Sequence, residues 1–150
     1  MEYRVCYADT DAAGIVYHGK YIEMAERSRA ELVHAAGFPP ELLSSLKGTG
    51  FIVRSIVARH LRFAVLDDVL RIESRIVDMD PARSWWLTEI MREEDDICAV
   101  LVEVAYYDRA KDNVILLDEA VVSAFESHGL VTIDPSVQER FRRYLSWLCH

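Results

Sequence analysis

The chain has few cysteines, no excess of positive charge and no long apolar run, and each absence excludes a class of protein. Its three cysteines, among 150 residues, form no CxxC motif, so neither a paired-cysteine metal site nor a disulfide framework is predicted. The net charge of −8 argues against general binding to nucleic acid, which requires a basic surface. No segment approaches the roughly 18 consecutive apolar residues of a membrane-spanning helix.

Compartment and domain number follow from the same composition. Charged residues occupy the N-terminal segment MEYRVCYADTD, where a signal peptide would have an apolar block. With reduced cysteines and no membrane span, we expect a cytoplasmic protein. The apolar fraction of 51% and the absence of a linker predict one globular domain over residues 1–150.

Helical periodicity is clearest over His18–Ala36. Small and apolar side chains recur there at intervals of three or four residues, at Tyr21, Ala25, Ser28, Leu32 and Ala35. Gly37 and the two prolines after it end this helix. A short second helix is predicted over Glu41–Leu46, and a C-terminal helix over residues 134–148.

Alternating apolar and polar residues predict strands through Phe51–Phe125 and a short strand within Met1–Tyr7. Turn signals at 80–81, 93–96 and 109–113 separate the strands, and such short connections favour antiparallel pairing. The prediction is an α+β fold with one long helix against an antiparallel sheet of five or six strands. One helix cannot cover both apolar faces of that sheet, so we expect a second subunit to cover the other.

Residues 7–32, YADTDAAGIVYHGKYIEMAERSRAEL, place two carboxylates and a histidine immediately before the long helix. The first turn of a helix has unpaired backbone N–H groups and the positive end of the helix dipole. A carbonyl oxygen against the amides of Tyr17–Gly19 would be polarised, and a nearby carboxylate could attack that carbonyl or activate a water. The segment is therefore compatible with an acyl-transfer site.

A structural interpretation stands beside each of these candidates. An aspartate before a helix, such as Asp9 or Asp11, is commonly a cap or a turn former. A lone histidine such as His18 is commonly a surface or packing residue, and Tyr7 at a strand end is typical of a core or its rim. The spacing of paired metal ligands is missing at His34, His60, His128 and His150. No metal or cofactor is predicted.

The same segment closely resembles the signature of the hotdog-fold thioesterases of the 4-hydroxybenzoyl-CoA thioesterase class, in particular the YbgC-type branch. That pattern is approximately Y-x-D-T-D-x-x-G-x-V-Y-H-x-x-Y followed by an E-R-x-R-x-E helix. The matching residues are Tyr7, Asp9, Thr10, Asp11, Gly14, Val16, Tyr17, His18, Tyr21, Glu26, Arg27, Arg29 and Glu31. The stretch FIVRSIVARHLRFAVLDDVLRIESRI is also similar, except that the family often has a proline in place of Phe63.

The resemblance implies a hotdog fold, in which a curved antiparallel sheet wraps one long helix, and hydrolysis of an acyl-CoA to a free acid and CoA. Asp11, the second aspartate of the D-T-D motif, would be the catalytic carboxylate, acting as nucleophile or as general base. His18 would position substrate or water, and Tyr7 would orient the carboxylate. Asp9 would be structural.

Substrate-binding residues and an assembly are implied as well. The candidates beside the thioester are Gly14, Val16, Tyr17 and Gly19. The candidates for the CoA phosphates, chosen because they lie near strand ends or turns, are Arg59, Arg62 and Arg83. A second cluster is Arg140, Arg142 and Arg143, and every one of these arginines could equally be a solvated surface residue. Family members form dimers, often paired into tetramers, with the active site at the subunit interface, so we expect a homo-oligomer.

Two functions other than thioester hydrolysis are alternatives within the same fold. A hotdog dehydratase acting on hydroxyacyl thioesters would carry its acid–base pair in other motifs. A non-catalytic hotdog module would bind acyl-CoA or acyl carrier protein, but such modules tend to lack the carboxylate that Asp11 supplies. The preferred acyl chain is not predicted, although Met24, Phe51 and Trp86 are expected to influence its length.

Overall fold

The computed structural model describes residues 1–38 and 48–146. The N-terminal part contains strand β1 (Glu2–Arg4), a 3-10 helix (Tyr7–Asp9) and the long helix α1 (His18–Ala35). Five strands follow: β2 (Thr49–His60), β3 (Val69–Met79), β4 (Arg83–Arg92), β5 (Asp95–Asp108) and β6 (Asn113–Val114). Two further helices complete the described chain: α2 (Glu119–Ser127) and α3 (Pro135–Ser146).

The six strands form one antiparallel sheet. Its order is β1-β3-β4-β5-β2, and β6 pairs with the end of β5 on the edge opposite β2. The turns that join β3 to β4 and β4 to β5 are short, as the sequence predicts. The expected α+β fold, with one long helix against five or six antiparallel strands, is confirmed.

Helix α1 packs against one face of the curled sheet. Its buried residues recur at helical spacing and are Tyr21, Met24, Ala25, Ser28, Arg29 and Val33. The sheet covers them with a continuous apolar cluster that includes Ile72, Trp86 and Val102. Gly37, at φ +84°, follows the helix in the left-handed conformation that glycine tolerates best, so the predicted end of the helix is also confirmed.

The opposite face of the sheet is covered by α3 from the same chain. Val137, Phe141 and Tyr144 on this helix pack on apolar residues of β3, β4 and β5. Arg140 forms a two-pronged ion pair with the buried Glu89, with Nε–Oε1 at 2.6 Å and Nη2–Oε2 at 3.0 Å. The sequence argument left this face for a second subunit to cover. That argument is wrong, because an amphipathic helix of the chain itself packs there. The expected homo-oligomer stays a prediction.

A one-residue bulge interrupts β2 at Arg54. Val53 pairs with Val104 and Ser55 pairs with Glu103, so Arg54 has no opposite residue in β5. Because strand side chains alternate between faces, one extra residue exchanges the faces of everything after it. His60 therefore shares the α1 face with Phe51, which lies before the bulge.

Three local predictions differ from the structure or lie outside it. Residues 119–127 form a helix where a strand was predicted, because Val121 and Phe125 lie one helical turn apart and are both buried. The predicted strand within Met1–Tyr7 is shorter, and a 3-10 helix begins at Tyr7. The predicted Glu41–Leu46 helix lies outside the described residues. Within the described residues, no helix is long and apolar enough to cross a membrane.

Candidate active site

Asp9 is a buried structural carboxylate. It accepts a hydrogen bond from the Tyr3 hydroxyl at 2.8 Å and one from the Cys6 N–H at 2.9 Å. Burial acts to raise the pKa of Asp9, but these hydrogen bonds and the charge of Lys20 outweigh it, and the pKa is lowered. Its backbone oxygen accepts the N–H of Tyr17 at 2.8 Å, so Asp9 anchors the residue that precedes α1.

Asp11 occupies an exposed tight turn two residues further on. Its Oδ1 accepts the Ala13 N–H at 2.8 Å, and its backbone N–H donates to Ile15 O at 2.9 Å. Gly14, at φ +76°, gives the turn the left-handed conformation it requires. The N–H of the buried Val16 donates to Ala64 O at 2.9 Å, and this bond fixes the turn against the segment that follows β2. The turn thus holds an exposed carboxylate on a fixed backbone.

A groove of about 400 Å³ opens beside this carboxylate. Three segments line it: the turn with Asp11, Ile15 and Val16; the first turn of α1 with His18 and Tyr21; and residues 60–63 at the end of β2. Phe63, where the family often has proline, is 63% exposed at the rim. The groove therefore brings the two principal catalytic candidates of the sequence, Asp11 and His18, to one place.

The start of α1 faces the same groove. Tyr17 is the residue before the helix, and its side chain makes no capping hydrogen bond to the first turn. The ring of Tyr17 lies against the ring of His18, with centroids 4.2 Å apart. A Cβ on Gly19 would lie 2.7 Å from the Tyr17 ring, so glycine is what allows that ring to rest over the first turn. The uncapped amides can polarise a carbonyl oxygen placed against them.

The structure adds one groove residue that sequence reasoning missed, His60. Its ring centroid lies 6.4 Å from that of His18 and 5.4 Å from that of Tyr21. Partial burial lowers the pKa of His60, and the charge of His18 lowers it further. Only the bulge in β2 turns His60 toward α1, and the sequence carries no clear signal for that bulge.

The other predicted binding residues are dispersed in the described chain. Of the three arginines proposed for the CoA phosphates, Arg62 lines the groove, with its Nε 3.7 Å from Asp95 Oδ1. Arg59 lies on the opposite face of the sheet beside Tyr144. Arg83 pairs with acidic residues at the β3–β4 turn and on β5. Within one chain, only Arg62 is therefore beside the groove.

Tyr7 also lies outside the groove lining. Its side chain is 81% exposed, and its backbone oxygen accepts both the N–H and the hydroxyl of Thr10. Among the described residues, no hydrogen bond joins its hydroxyl to Asp11. The tyrosine hydroxyl that does bind an aspartate of the D-T-D motif is that of Tyr3, which donates to Asp9.

Comparison with known proteins identifies the family. Residues 5–141 match the family described as the thioesterase-like superfamily. The chain belongs to this superfamily. It is 30% identical over 122 residues to "Acyl-CoA thioesterase YbgC" of Haemophilus influenzae, a match covering 81% of this chain and 90% of that protein. It is 31% identical over 124 residues to "Acyl-CoA thioester hydrolase YbgC" of Escherichia coli strain CFT073, covering 82% and 92%.

A solved structure agrees. The crystal structure of a protein described as a probable thioesterase from Bartonella henselae superposes with a TM-score of 0.73 at 33% identity. The match covers 79% of this chain and 97% of that one. The hotdog fold and the resemblance to YbgC-type thioesterases are thus confirmed.

A second, smaller cavity lies deeper in this thioesterase-like domain. It has a volume of about 60 Å³ between α1 and the sheet, and its walls include Val33, Phe51, Trp86 and Phe125. Phe125 reaches it from α2 and meets the Trp86 ring edge-on, with centroids 5.9 Å apart. Phe51 and Trp86, two of the residues expected to influence acyl-chain length, thus line one apolar cavity.

Proposed function

We propose that this chain is an acyl-CoA thioesterase that hydrolyses its substrate in the groove beside Asp11. The observation that carries the proposal is the meeting of an exposed carboxylate, His18 and an uncapped helix start around one groove. The names of the relatives from H. influenzae and E. coli support the same reaction. Acyl-CoA is the substrate and no cofactor takes part.

The thioester carbonyl oxygen lies against the backbone amides of His18 and Gly19, which stabilise the negative charge that develops on it, since the N–H of Tyr17 already donates to Asp9 O. As general base, Asp11 takes a proton from water while the water oxygen attacks the carbonyl carbon. The C–S bond then breaks, and the departing CoA sulfur takes up a proton. His18 positions the water or the thioester, and Gly14 and Val16 shape the wall of the groove.

The second possible role of Asp11 is nucleophilic attack, which forms a mixed anhydride that water then hydrolyses. Oxygen isotopes can reveal the nucleophilic role. When water labelled with ¹⁸O attacks the aspartyl carbon of the anhydride, the label enters Asp11, whereas a general base leaves Asp11 unlabelled, as does attack on the acyl carbon of the anhydride. Label found by mass spectrometry in the peptide containing Asp11, after many turnovers, would therefore establish the nucleophilic role.

Tyr7 is proposed to orient the carboxylate through the backbone, since it lies in the 3-10 helix before the turn and its carbonyl oxygen accepts both hydrogen bonds from Thr10. Arg62 is proposed to contact a CoA phosphate at the mouth of the groove. Arg59 and Arg83 keep this role only if the bound CoA extends beyond the groove of one subunit. Alanine at each of the three arginines, compared by KM for acyl-CoA, measures their contributions.

We propose a cytoplasmic homo-oligomer, a dimer or a tetramer. Strand β2 lies at the end of the main strand order and spans 12 residues. Its side chains Val53 and Ile56 are each 43% exposed. A long apolar edge strand is a surface for pairing with a second copy, and unpaired it would be prone to aggregate. Light scattering coupled to size-exclusion chromatography tests the assembly.

The deciding experiment measures release of CoA thiol from short, long and aromatic acyl-CoAs by the native chain, Asp11→Asn and Asp67→Asn. Asp67→Asn is a matched control, because Asp67 is exposed, does not line the groove and sits at φ +68°, which asparagine tolerates. We expect turnover to collapse in Asp11→Asn only. Binding without turnover in the native chain would overturn the proposal in favour of a non-catalytic module, and acyl carrier protein thioesters would then be tested.

A further inference from the structure

His60 lines the groove, yet the proposed reaction gives it no task. It is the last residue of β2, and in the sheet it stands opposite Cys98 of β5. Arg59, its neighbour in sequence, lies on the opposite face of the sheet because of the bulge at Arg54. The fold therefore places an imidazole, rather than a guanidinium, beside His18.

Contacts on three sides fix the His60 ring. Nδ1 lies 3.6 Å from the Sγ of the buried Cys98. The centroid of the Tyr21 ring lies 5.4 Å from that of the His60 ring. The His18 ring lies nearly perpendicular to the His60 ring, at 84°. Since Nδ1 is engaged with the sulfur, Nε2 is the ring's polar atom left for the groove.

The surroundings favour a neutral His60. Burial raises the pKa of the Cys98 thiol to about 12, so the sulfur keeps its hydrogen and can donate it weakly to Nδ1. Partial burial and the charge of His18 lower the pKa of His60. The titratable and charged groups around the histidine pair are Asp11 from the turn, Tyr21 from α1, Cys98 from β5 and Arg62 from the segment after β2.

We propose that His60 is a positioning residue for His18. The ring, held by Cys98 and Tyr21, orients the His18 imidazole at the groove through its remaining nitrogen, Nε2. His60 itself makes and breaks no bond. This inference rests on the proposed thioester hydrolysis, and the two are tested separately below.

Two substitutions separate positioning from packing. His60→Phe keeps a ring beside Tyr21 but removes both nitrogens, whereas His60→Gln loses the ring but keeps a polar group near the Nε2 position. If His60 positions His18, kcat falls by about tenfold in His60→Phe with KM within twofold, and His60→Gln retains a kcat several times higher than His60→Phe. The reverse order, with His60→Phe the more active, would show that the ring only packs and would overturn the inference.

A titration tests the pair without any substrate. We follow the His60 Hε1 proton by NMR in the native chain and in His18→Asn. Removing the imidazole of His18, whose charge lowers the pKa of His60, should raise the His60 midpoint by about 0.5 pH unit, as expected for charges 6.4 Å apart in water-like surroundings. The exposed His128 serves as the internal control and should not move. An unchanged His60 midpoint would show that the two rings do not interact and would overturn the inference.

The outcomes are independent of the proposed function. If Asp11→Asn abolishes turnover while both His60 variants match the native kcat, the thioesterase proposal stands and the positioning role is overturned. If the native chain hydrolyses no acyl-CoA, the NMR titration still decides whether the two imidazoles interact.

Discussion

Substitution of the two aspartates of the D-T-D motif should have different effects, one on stability and the other on turnover. Asn replaces each carboxylate with a group of the same size and no charge. Asp9→Asn should lower stability, and Asp11→Asn should lower turnover. Asp9 is 3% exposed and accepts two hydrogen bonds, whereas the exposed Asp11 accepts one from Ala13 within its own turn.

The expected loss at Asp9 can be estimated from its two hydrogen bonds. A hydrogen bond to a charged acceptor contributes about 1.5–3 kcal/mol, and one to a neutral acceptor about 1 kcal/mol. Two bonds weakened in this way reduce the free energy of unfolding by about 2 kcal/mol, which lowers the melting midpoint by about 4–8 °C. The Asn side chain can still accept the Ala13 N–H in the other variant, so Asp11→Asn should change stability by less than about 0.5 kcal/mol.

The pH dependence provides a second readout. The folded-state pKa of Asp9 is below its ordinary value of 3.8, so its stabilisation is complete above that pH and is lost as the pH falls through the folded-state value. Burial and the bond to Asp9 raise the pKa of Tyr3 to about 12, so stabilisation from Tyr3 is lost as the pH rises from 10 toward 12.

Urea unfolding followed by circular dichroism, together with CoA release, measures both variants. Asp9→Asn should flatten the acid and alkaline ends of the stability profile and keep its activity at temperatures where it is folded. Equal unfolding midpoints for Asp9→Asn and the native chain would refute the assignment of Asp9 as structural. Undiminished turnover in Asp11→Asn would refute the catalytic assignment.

Three further predictions concern residues around and away from the groove. Gly19→Ala should reduce kcat, because the new Cβ displaces the Tyr17 ring. The melting midpoint should stay near the native value, because alanine favours the helix more than glycine does. Kinetics and thermal melts check both expectations. Arg140→Met should lower the free energy of unfolding by about 2 kcal/mol without changing turnover, because the buried Glu89 loses both hydrogen bonds from Arg140 and keeps Arg75 Nη2 at 3.7 Å. The cost is below that of a fully buried pair, since Arg140 is 36% exposed. Cys98 should resist iodoacetamide in the folded chain and react only in denaturant, as peptide mass spectrometry will show.

The sequence predicted best where local chemistry decides the structure. The helix expected over His18–Ala36 is observed over His18–Ala35, because periodicity and Gly37 act within a few residues of each other. The C-terminal helix was also predicted, but its packing partner was not. An amphipathic face indicates that a helix is covered, and only the tertiary structure shows that it covers the outer face of the sheet.

Prediction failed where a tertiary contact outweighs a local preference. The β-branched residues near Val121 favour a strand, yet the segment is helical because that places Val121 and Phe125 together against the core. Arg59 was expected near the substrate because it precedes a strand end. Strict alternation of faces from Phe51 onward would turn Arg59 toward α1. The bulge at Arg54 shifts this alternation by one residue, so His60 faces α1 instead.

The bulge at Arg54 also bears on how such sites diverge. Deleting Arg54 would remove the bulge, but the residues after it would keep their partners in β5 and their faces, with His60 still toward α1. A strand with the same number of residues and no bulge would instead shift the pairing of every residue after Val53 by one position along β5, and Arg59 rather than His60 would face α1. Whether the extra residue is held in a bulge thus decides which functional group faces the substrate, and relatives compared column by column in this strand must be matched in bulge position before their site residues are equated.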